Sequence, residues 1–111
     1  MGISSIIKER NNDFLKLCHE HKVSKIYAFG LGVTDRFDPI KSDIDFVVDL
    51  KIKDPIEYGE TLLSFWDKLE ILFGRKVDLL TDDSIRNPYL KKSIDATKKL
   101  IYDGQGEKIF V

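Results

Sequence analysis

The sequence predicts a small α+β (α/β) protein, in which a mixed β-sheet of three to four strands has helices packed mainly on one face. Two observations lead to this fold class. Apolar residues recur at helical spacing in two long segments, and short apolar runs with the character of buried strands lie between and after them. Because so few short strands cannot bury themselves, helices must cover one face. The other face, or one edge, is expected to stay open.

Length and composition suit one globular domain. The chain has 111 residues, of which 42% are hydrophobic and 33% charged, so we expect a single domain over residues 1–111. The 18 basic and 19 acidic residues give a formal net charge of -1. This balance predicts no overall attraction to nucleic acid or to an anionic membrane.

The distribution of apolar residues and cysteine predicts a cytoplasmic protein. The sequence starts without a signal-peptide hydrophobic run, and no stretch approaches the roughly 20 apolar residues that span a bilayer. Cys18 is the single cysteine, which excludes a disulfide within the chain.

The first elements along the chain are predicted to be a helix and a strand. Residues 3–20 have apolar side chains at helical spacing, with Cys18 on the core side. Residues 25–29 are short and apolar and stop at Gly30 and Gly32, as expected for a buried strand that enters a turn.

A second strand, over residues 41–49, has two acidic residues, two positions apart, where apolar ones are expected. Aspartate is depleted in strands, and an ionised carboxylate removed from water costs several kcal/mol unless it is paired or bound to a metal. Because strand side chains alternate, Asp43 and Asp45 lie on the same face, with Cβ atoms roughly 6.5 to 7 Å apart. Two carboxylates in this arrangement can converge on one cation.

A second helix is predicted from its own end signals. Asp54 can cap the helix, Pro55 suits its first position and Glu57 follows three residues after the cap. An apolar stripe that includes Trp66 predicts a core-facing side, and Gly74 predicts the end.

The last third predicts a strand, a helix and a possible short edge strand. Residues 76–80 form the strand, and Ser84 or Asn87 could cap a helix that has Pro88 in its first turn. Residues 100–102 could add the edge strand.

Asp78 is a third carboxylate in a predicted strand. If its strand neighbours the one that contains Asp43 and Asp45, all three acids can share one site. Magnesium prefers oxygen ligands and usually combines one or two carboxylates with substrate phosphates. Three strand-borne aspartates beside a glycine turn therefore favour metal-assisted chemistry on a nucleotide.

A set of motifs in fixed order covers nearly the whole chain. They are Phe29-Gly30, Phe37-Asp38-Pro39, Lys41-Ser42-Asp43-Ile44-Asp45-Phe46-Val47-Val48, Gly74-Arg75-Lys76-Val77-Asp78-Leu79-Leu80, Asn87-Pro88-Tyr89-Leu90 and Ile101-Tyr102-Asp103-Gly104. With these motifs the chain resembles the minimal nucleotidyltransferases of the DNA polymerase β-like superfamily, in particular their MntA-like antitoxin type.

The resemblance implies a nucleotidyltransferase fold and a chemistry. It implies that Asp43 and Asp45 are paired metal ligands and that Asp78 is the third acid, which also binds metal and activates an incoming hydroxyl. Two Mg²⁺ ions and ATP, as donor of AMP, are implied as well. The residues implied to contact the nucleotide are Gly30, Leu31, Gly32 and Ser42.

The resemblance also implies a partner. Such domains are often the antitoxin of a two-gene module and transfer AMP to a tyrosine of a HEPN-family ribonuclease toxin. A helical HEPN-type partner, and a homo- or hetero-oligomer with it, are therefore expectations from the family. These expectations come from the family alone, since no residue of the sequence specifies the acceptor or the preferred base.

The glycine turn departs from the family pattern. The family turn begins Gly-Ser and often continues to an arginine and a second glycine, whereas this chain has Leu31, Thr34 and Asp35 at those three positions. Leucine cannot donate a hydrogen bond to phosphate, and a lost charge-assisted bond costs about 1.5 to 3 kcal/mol. This would lower nucleotide affinity roughly tenfold to a hundredfold. Gly30 and Gly32 still leave backbone amides to approach phosphate.

Three functions therefore stay open after sequence analysis. The first is a Mg²⁺-dependent nucleotidyltransferase. The second is a degenerate module of the same fold that neutralises its partner by contact alone, a reading that Leu31 favours. The third is a module that binds nucleotide without transfer.

Other polar and aromatic residues are predicted to have ordinary roles. Asp49 shares strand parity with Asp45 but is expected to face solvent. The basic pairs at 91–92 and 98–99 are predicted to form a solvated helix face, and Tyr89 is predicted to pack.

Overall fold

The computed structural model describes residues 7–29, 44–104 and, for their backbone, 108–109. Within these residues the helices are α1 (Asn11–Glu20), α2 (Pro55–Phe73) and α3 (Pro88–Thr97), with a 3₁₀ turn at Asp82–Ser84. The strands are β1 (Val23–Ala28), β2 (Ile44–Leu50), β3 (Val77–Leu80), β4 (Lys99–Asp103) and β5 (Lys108–Ile109).

The described strands form one mixed sheet in the order β3-β2-β1-β4-β5. Strands β2 and β3 pair in parallel, and every other pair is antiparallel. The parallel pair requires a crossover connection, and α2 provides it. The predicted fold class is confirmed.

Strand β4 does not lie at an edge of this sheet, so that part of the prediction is wrong. It pairs with β1 on one side, and its Tyr102 and Asp103 pair with β5 on the other. A strand as short as β5 has too little periodicity to be recognised in a sequence. The described sheet therefore has one strand more than predicted, and its edges are β3 and β5.

Helix α2 begins and ends where its sequence signals predict. A side-chain oxygen of Asp54 accepts a hydrogen bond from the backbone N–H of Glu57 at 2.9 Å, and Pro55 is the first helical residue. Gly74 ends the helix in the left-handed conformation, with φ of 63°, which glycine adopts without a Cβ clash. Neither α2 nor any other described helix is long and apolar enough to cross a membrane.

The first helical segment is interrupted, although the sequence predicts one continuous helix. Residues 7–9 are helical, but Arg10 has φ of -117° and ψ of 30°, and α1 begins after it. The Arg10 N–H donates to the carbonyl oxygen of Ile7, three residues back, at 3.1 Å. The chain thus closes a tighter turn there. Residues 3–6 lie outside the described part.

The main core lies between one face of the sheet and helices α1 and α2. Alternate residues of β2, among them Phe46 and Val48, face Phe14 of α1 and Phe65 and Leu69 of α2. Cys18 is also fully buried in this core, as predicted. This face is referred to below as the helix face.

The opposite face of the sheet is only partly covered. Val47 and Leu80 pack there against Ile85 and against Ile94 of α3. The prediction that helices lie mainly on one face is confirmed, and α3 with the segment before it adds a small second cluster. This side is referred to below as the aspartate face, because Asp45 and Asp78 belong to it.

Candidate active site

Two carboxylates lie next to each other on the aspartate face. Asp45 of β2 is the direct register partner of Asp78 in the parallel strand β3. Each is half-buried between two buried apolar neighbours that face the other way. Neighbouring strands lie about 4.8 Å apart, so both carboxylates can reach the same small ligand. The sequence could only suggest this juxtaposition, because it depends on which strands pair.

The other predicted site residues lie outside the described part of the chain. They are Gly30, Leu31, Gly32, Ser42 and Asp43. Among the described residues there is no cluster of three or more histidine, cysteine or acidic side chains that could hold a metal ion. The predicted set of three aspartates therefore stays a prediction, of which two members are neighbours in the sheet.

The end of β1 brings the chain to Asp45. The backbone N–H of Phe29 donates to the carbonyl oxygen of Asp45 at 3.1 Å, and Phe29 itself belongs to the small apolar cluster on the aspartate face. Phe29 is the last described residue before Gly30. The last described residue before the glycine segment thus lies beside the backbone of a residue that bears one of the two carboxylates.

Two side chains of α2 hold the residue that precedes Asp78. The indole N–H of Trp66 donates to the carbonyl oxygen of Val77 at 2.5 Å, and a carboxylate oxygen of Glu70 accepts from the Val77 N–H at 2.9 Å. Sequence analysis placed Trp66 in the core but missed both hydrogen bonds. The sequence did contain one signal. Trp66 and Glu70, whose side chains can both form hydrogen bonds with backbone groups, lie one helical turn apart on α2.

A separate polar cleft of about 380 Å³ opens further along the aspartate face. Its lining includes Lys25 and Tyr27 of β1, Asp49 of β2 and Lys98 after α3. The Lys98 ammonium lies 4.6 Å from the centre of the Tyr27 ring and pairs with Asp95 at 3.0 Å. Lys98 is thus half-buried in a cation–π contact, and its prediction as part of a solvated face is wrong.

Tyr58 of α2 also lines this cleft, and the pKa of its hydroxyl is raised. Its oxygen accepts a hydrogen bond from the Leu50 N–H at 3.4 Å. Burial raises the pKa of Tyr58, the Leu50 hydrogen bond opposes that shift, and the negative charges of Asp49 and Asp83 add to it. The Tyr58 hydroxyl therefore keeps its proton at neutral pH.

Two predictions for exposed residues have opposite outcomes. Asp49 is exposed, as predicted. Tyr89, at the start of α3, is 85% exposed rather than packed. Asn87, not Ser84, caps that helix through hydrogen bonds from the N–H groups of residues 89 and 90, which fixes the backbone but leaves the aromatic side chain outside the core.

Comparison with known proteins identifies the family. A family model described as "Polymerase beta, Nucleotidyltransferase" matches residues 12–107. A relative from Methanocaldococcus jannaschii, named "Putative protein adenylyltransferase", is 39% identical over 103 residues, which are 92% of this chain and 99% of that protein. The chain is therefore a nucleotidyltransferase by class, and it belongs to the polymerase beta nucleotidyltransferase family. The predicted resemblance is confirmed.

Solved structures show the same fold. A toxin–antitoxin structure with AMP-PNP aligns with a TM-score of 0.60 at 24% identity, over 86% of this chain and 76% of that one. A complex of an MNT antitoxin with a tri-AMPylated HEPN toxin from Shewanella oneidensis aligns with a TM-score of 0.51 at 23% identity. That alignment covers 90% of this chain and 75% of the other.

Proposed function

We propose that this protein is a Mg²⁺-dependent adenylyltransferase that moves AMP from ATP to a hydroxyl group. The observation that carries the proposal is the pairing of Asp45 with Asp78 on adjacent parallel strands. The M. jannaschii relative, which aligns over nearly its whole length, bears the name of a protein adenylyltransferase. That name supports AMP as the transferred group.

The donor atoms of the aspartate pair fit magnesium. Asp45 and Asp78 offer only carboxylate oxygens, the ligands that Mg²⁺ prefers, and both side chains keep access to solvent. Asp43, Asp45 and Asp78 would hold the two ions. Bound there, Mg²⁺ would neutralise charge on the triphosphate and on the departing pyrophosphate.

The chain's own residues have separate roles in the proposed transfer. The acceptor oxygen forms a bond to the α-phosphorus of ATP, and the bond from that phosphorus to the bridging oxygen breaks. Pyrophosphate leaves with the electron pair of the broken bond. Asp78 takes the proton from the acceptor hydroxyl. Backbone amides of Gly30 and Gly32 hold the phosphates, together with the hydroxyl of Ser42.

The proposed acceptor is a tyrosine of a HEPN-type helical protein, and the proposed role is that of its antitoxin. Support comes from the motif resemblance and from the aligned complex in which an MNT antitoxin accompanies an AMPylated HEPN toxin. A cytoplasmic location accompanies this role as a prediction from sequence.

Calorimetric titration of ATP tests the nucleotide site. With Mg²⁺ present, Asp45→Asn should weaken binding at least tenfold, because one of the paired carboxylates is lost. Asp49→Asn is the matched control, since Asp49 is on the same strand and face but exposed. Equal binding by the wild type and both variants would exclude the aspartate site.

The mass of the partner tests transfer itself. A HEPN-type protein incubated with the chain, ATP and Mg²⁺ should gain the mass of one or more AMP groups, and Asp43→Asn combined with Asp45→Asn should abolish the gain. An unchanged partner mass with the wild-type chain would instead favour the contact-only module, for which Leu31 is the supporting observation.

A further inference from the structure

Strand β3 holds Asp78 at an edge of the described sheet. The strand has four residues, and within that sheet it pairs with β2 alone. A strand with one neighbour leaves half of its backbone N–H and carbonyl groups without a partner in the sheet. The sheet thus holds the backbone beside Asp78 from one side, and a restraint from the other side must come from elsewhere in the molecule.

The peptide unit between Lys76 and Val77 is bonded from both sides. Its carbonyl oxygen accepts from the N–H of Ile44 in β2 at 3.1 Å. Its N–H points the opposite way and donates to a carboxylate oxygen of Glu70 in α2 at 2.9 Å. Because the unit is planar, these two bonds together fix its orientation.

The peptide unit that leads into Asp78 has a second restraint from α2. It consists of the carbonyl of Val77 and the N–H of Asp78. The carbonyl oxygen accepts from the indole N–H of Trp66 at 2.5 Å. Because this unit is planar too, the restraint passes to the N–H of Asp78 and to its Cα atom. The bonds from α2 therefore act on the backbone that sets the direction of the carboxylate.

Helix α2 is a rigid support for these two bonds. Phe65 and Leu69 are fully buried in the core between α2 and the sheet, and Trp66 and Glu70 are the residues directly after them. Close-packed cores deform little. The positions from which the two side chains reach β3 are therefore fixed by the core.

We propose that Trp66 and Glu70 are positioning residues for the candidate active site. Through the backbone of Val77 they hold Asp78 in the orientation in which its carboxylate shares a ligand with Asp45. This inference rests on the proposed function, which gives Asp78 its role as metal ligand and base. Neither α2 side chain needs to contact the metal, the nucleotide or the acceptor. Residues that orient a metal ligand typically contribute about tenfold to a hundredfold to metal affinity or activity.

Binding of Mn²⁺ alone, followed by electron paramagnetic resonance, tests the positioning role without substrate or partner. Mn²⁺ takes the same oxygen ligands as Mg²⁺. Glu70→Ala and Trp66→Phe each remove one bond to Val77, so each should weaken Mn²⁺ binding about tenfold or more. Glu70→Gln keeps an oxygen that can accept from the Val77 N–H, so its affinity should stay within about twofold of the wild type.

Asp54→Ala is the control for a loss of stability. It removes the N-cap of α2, which stabilises a helix about as much as one hydrogen bond does, but it lies at the other end of the helix from Glu70. Urea unfolding compares the stabilities of the variants, and Asp54→Ala should bind Mn²⁺ as the wild type does. Equal weakening of binding by Asp54→Ala and Glu70→Ala would overturn the proposal, because the bonds to Val77 would then serve stability alone.

Two further results would also overturn it. One is unchanged Mn²⁺ affinity in both Glu70→Ala and Trp66→Phe. The other is a Glu70→Gln variant as weak as Glu70→Ala, since the effect would then come from the charge of Glu70 and not from its hydrogen bond.

The AMP-transfer assay separates this inference from the proposed function. If the wild-type chain and the variants bind Mn²⁺ in the expected pattern but the wild type transfers no AMP, the positioning of Asp78 stands and the proposed function fails. If the wild type transfers AMP, Glu70→Ala should lower the rate at saturating Mg²⁺ and ATP about tenfold, and Glu70→Gln should restore it. A wild-type chain that neither binds Mn²⁺ nor transfers AMP would overturn both.

Discussion

Backbone hydrogen bonds determine where the two carboxylates lie. The N–H of Phe29 donates to the backbone carbonyl oxygen of Asp45, and the N–H of Ile44 donates to the backbone carbonyl oxygen of Lys76, each at 3.1 Å. The first bond joins β1 to the residue that bears one carboxylate, and the second joins β2 to the start of β3. The carboxylates are thus positioned by the sheet itself, which is more rigid than a loop.

Leu31 is the residue whose replacement reports on the glycine segment. Leu31→Ser should raise ATP affinity about tenfold or more, because it restores a hydroxyl that can donate to phosphate. Calorimetric titration in Mg²⁺ measures the change, with Leu31→Ala as the control that removes bulk without adding a donor. Equal affinities for the two variants would show that this position does not contact phosphate.

At the scale of elements, the contact between α2 and β3 has a measurable consequence. Glu70→Ala should lower the free energy of unfolding by about 1 to 3 kcal/mol, because it leaves the Val77 N–H without its acceptor. Amide hydrogen exchange at Val77 should quicken in the same variant. Glu60→Ala, at an exposed position of the same helix, is the control and should change neither quantity.

Two glycines of α2 predict opposite effects for the same substitution. A Cβ at Gly59 or at Gly74 would meet no atom within 4 Å, but only Gly74 has positive φ, at 63°. Gly59→Ala should stabilise the protein by about 0.5 to 1 kcal/mol, and Gly74→Ala should destabilise it. Urea unfolding of both variants measures this. Stabilisation by Gly74→Ala would contradict the assigned helix end.

Elements with local signals are the ones that the sequence predicts well. The bounds of α2 follow from Asp54 and Gly74, residues that act on their own neighbours. The break at Arg10, by contrast, has no proline or glycine to announce it. The inner position of β4 depends on its pairing with β5, which no local pattern encodes.

The same distinction applies to the candidate site. The sequence shows acidic residues in predicted strands, but that Asp45 and Asp78 are neighbours follows only from the parallel pairing of β2 and β3. Trp66 and Glu70 were missed because their spacing of one helical turn places them on one side of α2 but does not say which backbone groups that side meets. Asp43 and the glycine segment stay predictions.

For the whole molecule, the buried Cys18 predicts how stability depends on pH. Burial raises the pKa of its thiol above the ordinary value of 9.0. Above pH 9 the unfolded thiol loses its proton while the folded one retains it, so ionisation favours the unfolded state. The stability that the protonated thiol contributes is fully present below pH 9 and is lost as pH rises. The free energy of unfolding falls there by at most about 1.4 kcal/mol per pH unit.

Urea unfolding at several pH values between about 8 and 10 measures this slope. Cys18→Ala removes the thiol, and its stability should fall less steeply than that of the wild type over the same range. The difference between the two curves gives the contribution of Cys18 alone, because tyrosines and lysines that titrate in the same pH range affect both proteins equally. Parallel curves would show that the thiol ionises equally in both states.

Strand β3 is an edge of the described sheet, and edges are where sheets of separate molecules can join. The carbonyl oxygen of Lys76 points toward β2, where it accepts from Ile44. The backbone N–H and carbonyl of the next residue, Val77, therefore point outward. There they are already bonded by Glu70 and Trp66. An incoming strand would find no free donor or acceptor at this residue. The contacts that hold the residue before Asp78 thus also block the addition of a foreign strand at this point of the edge.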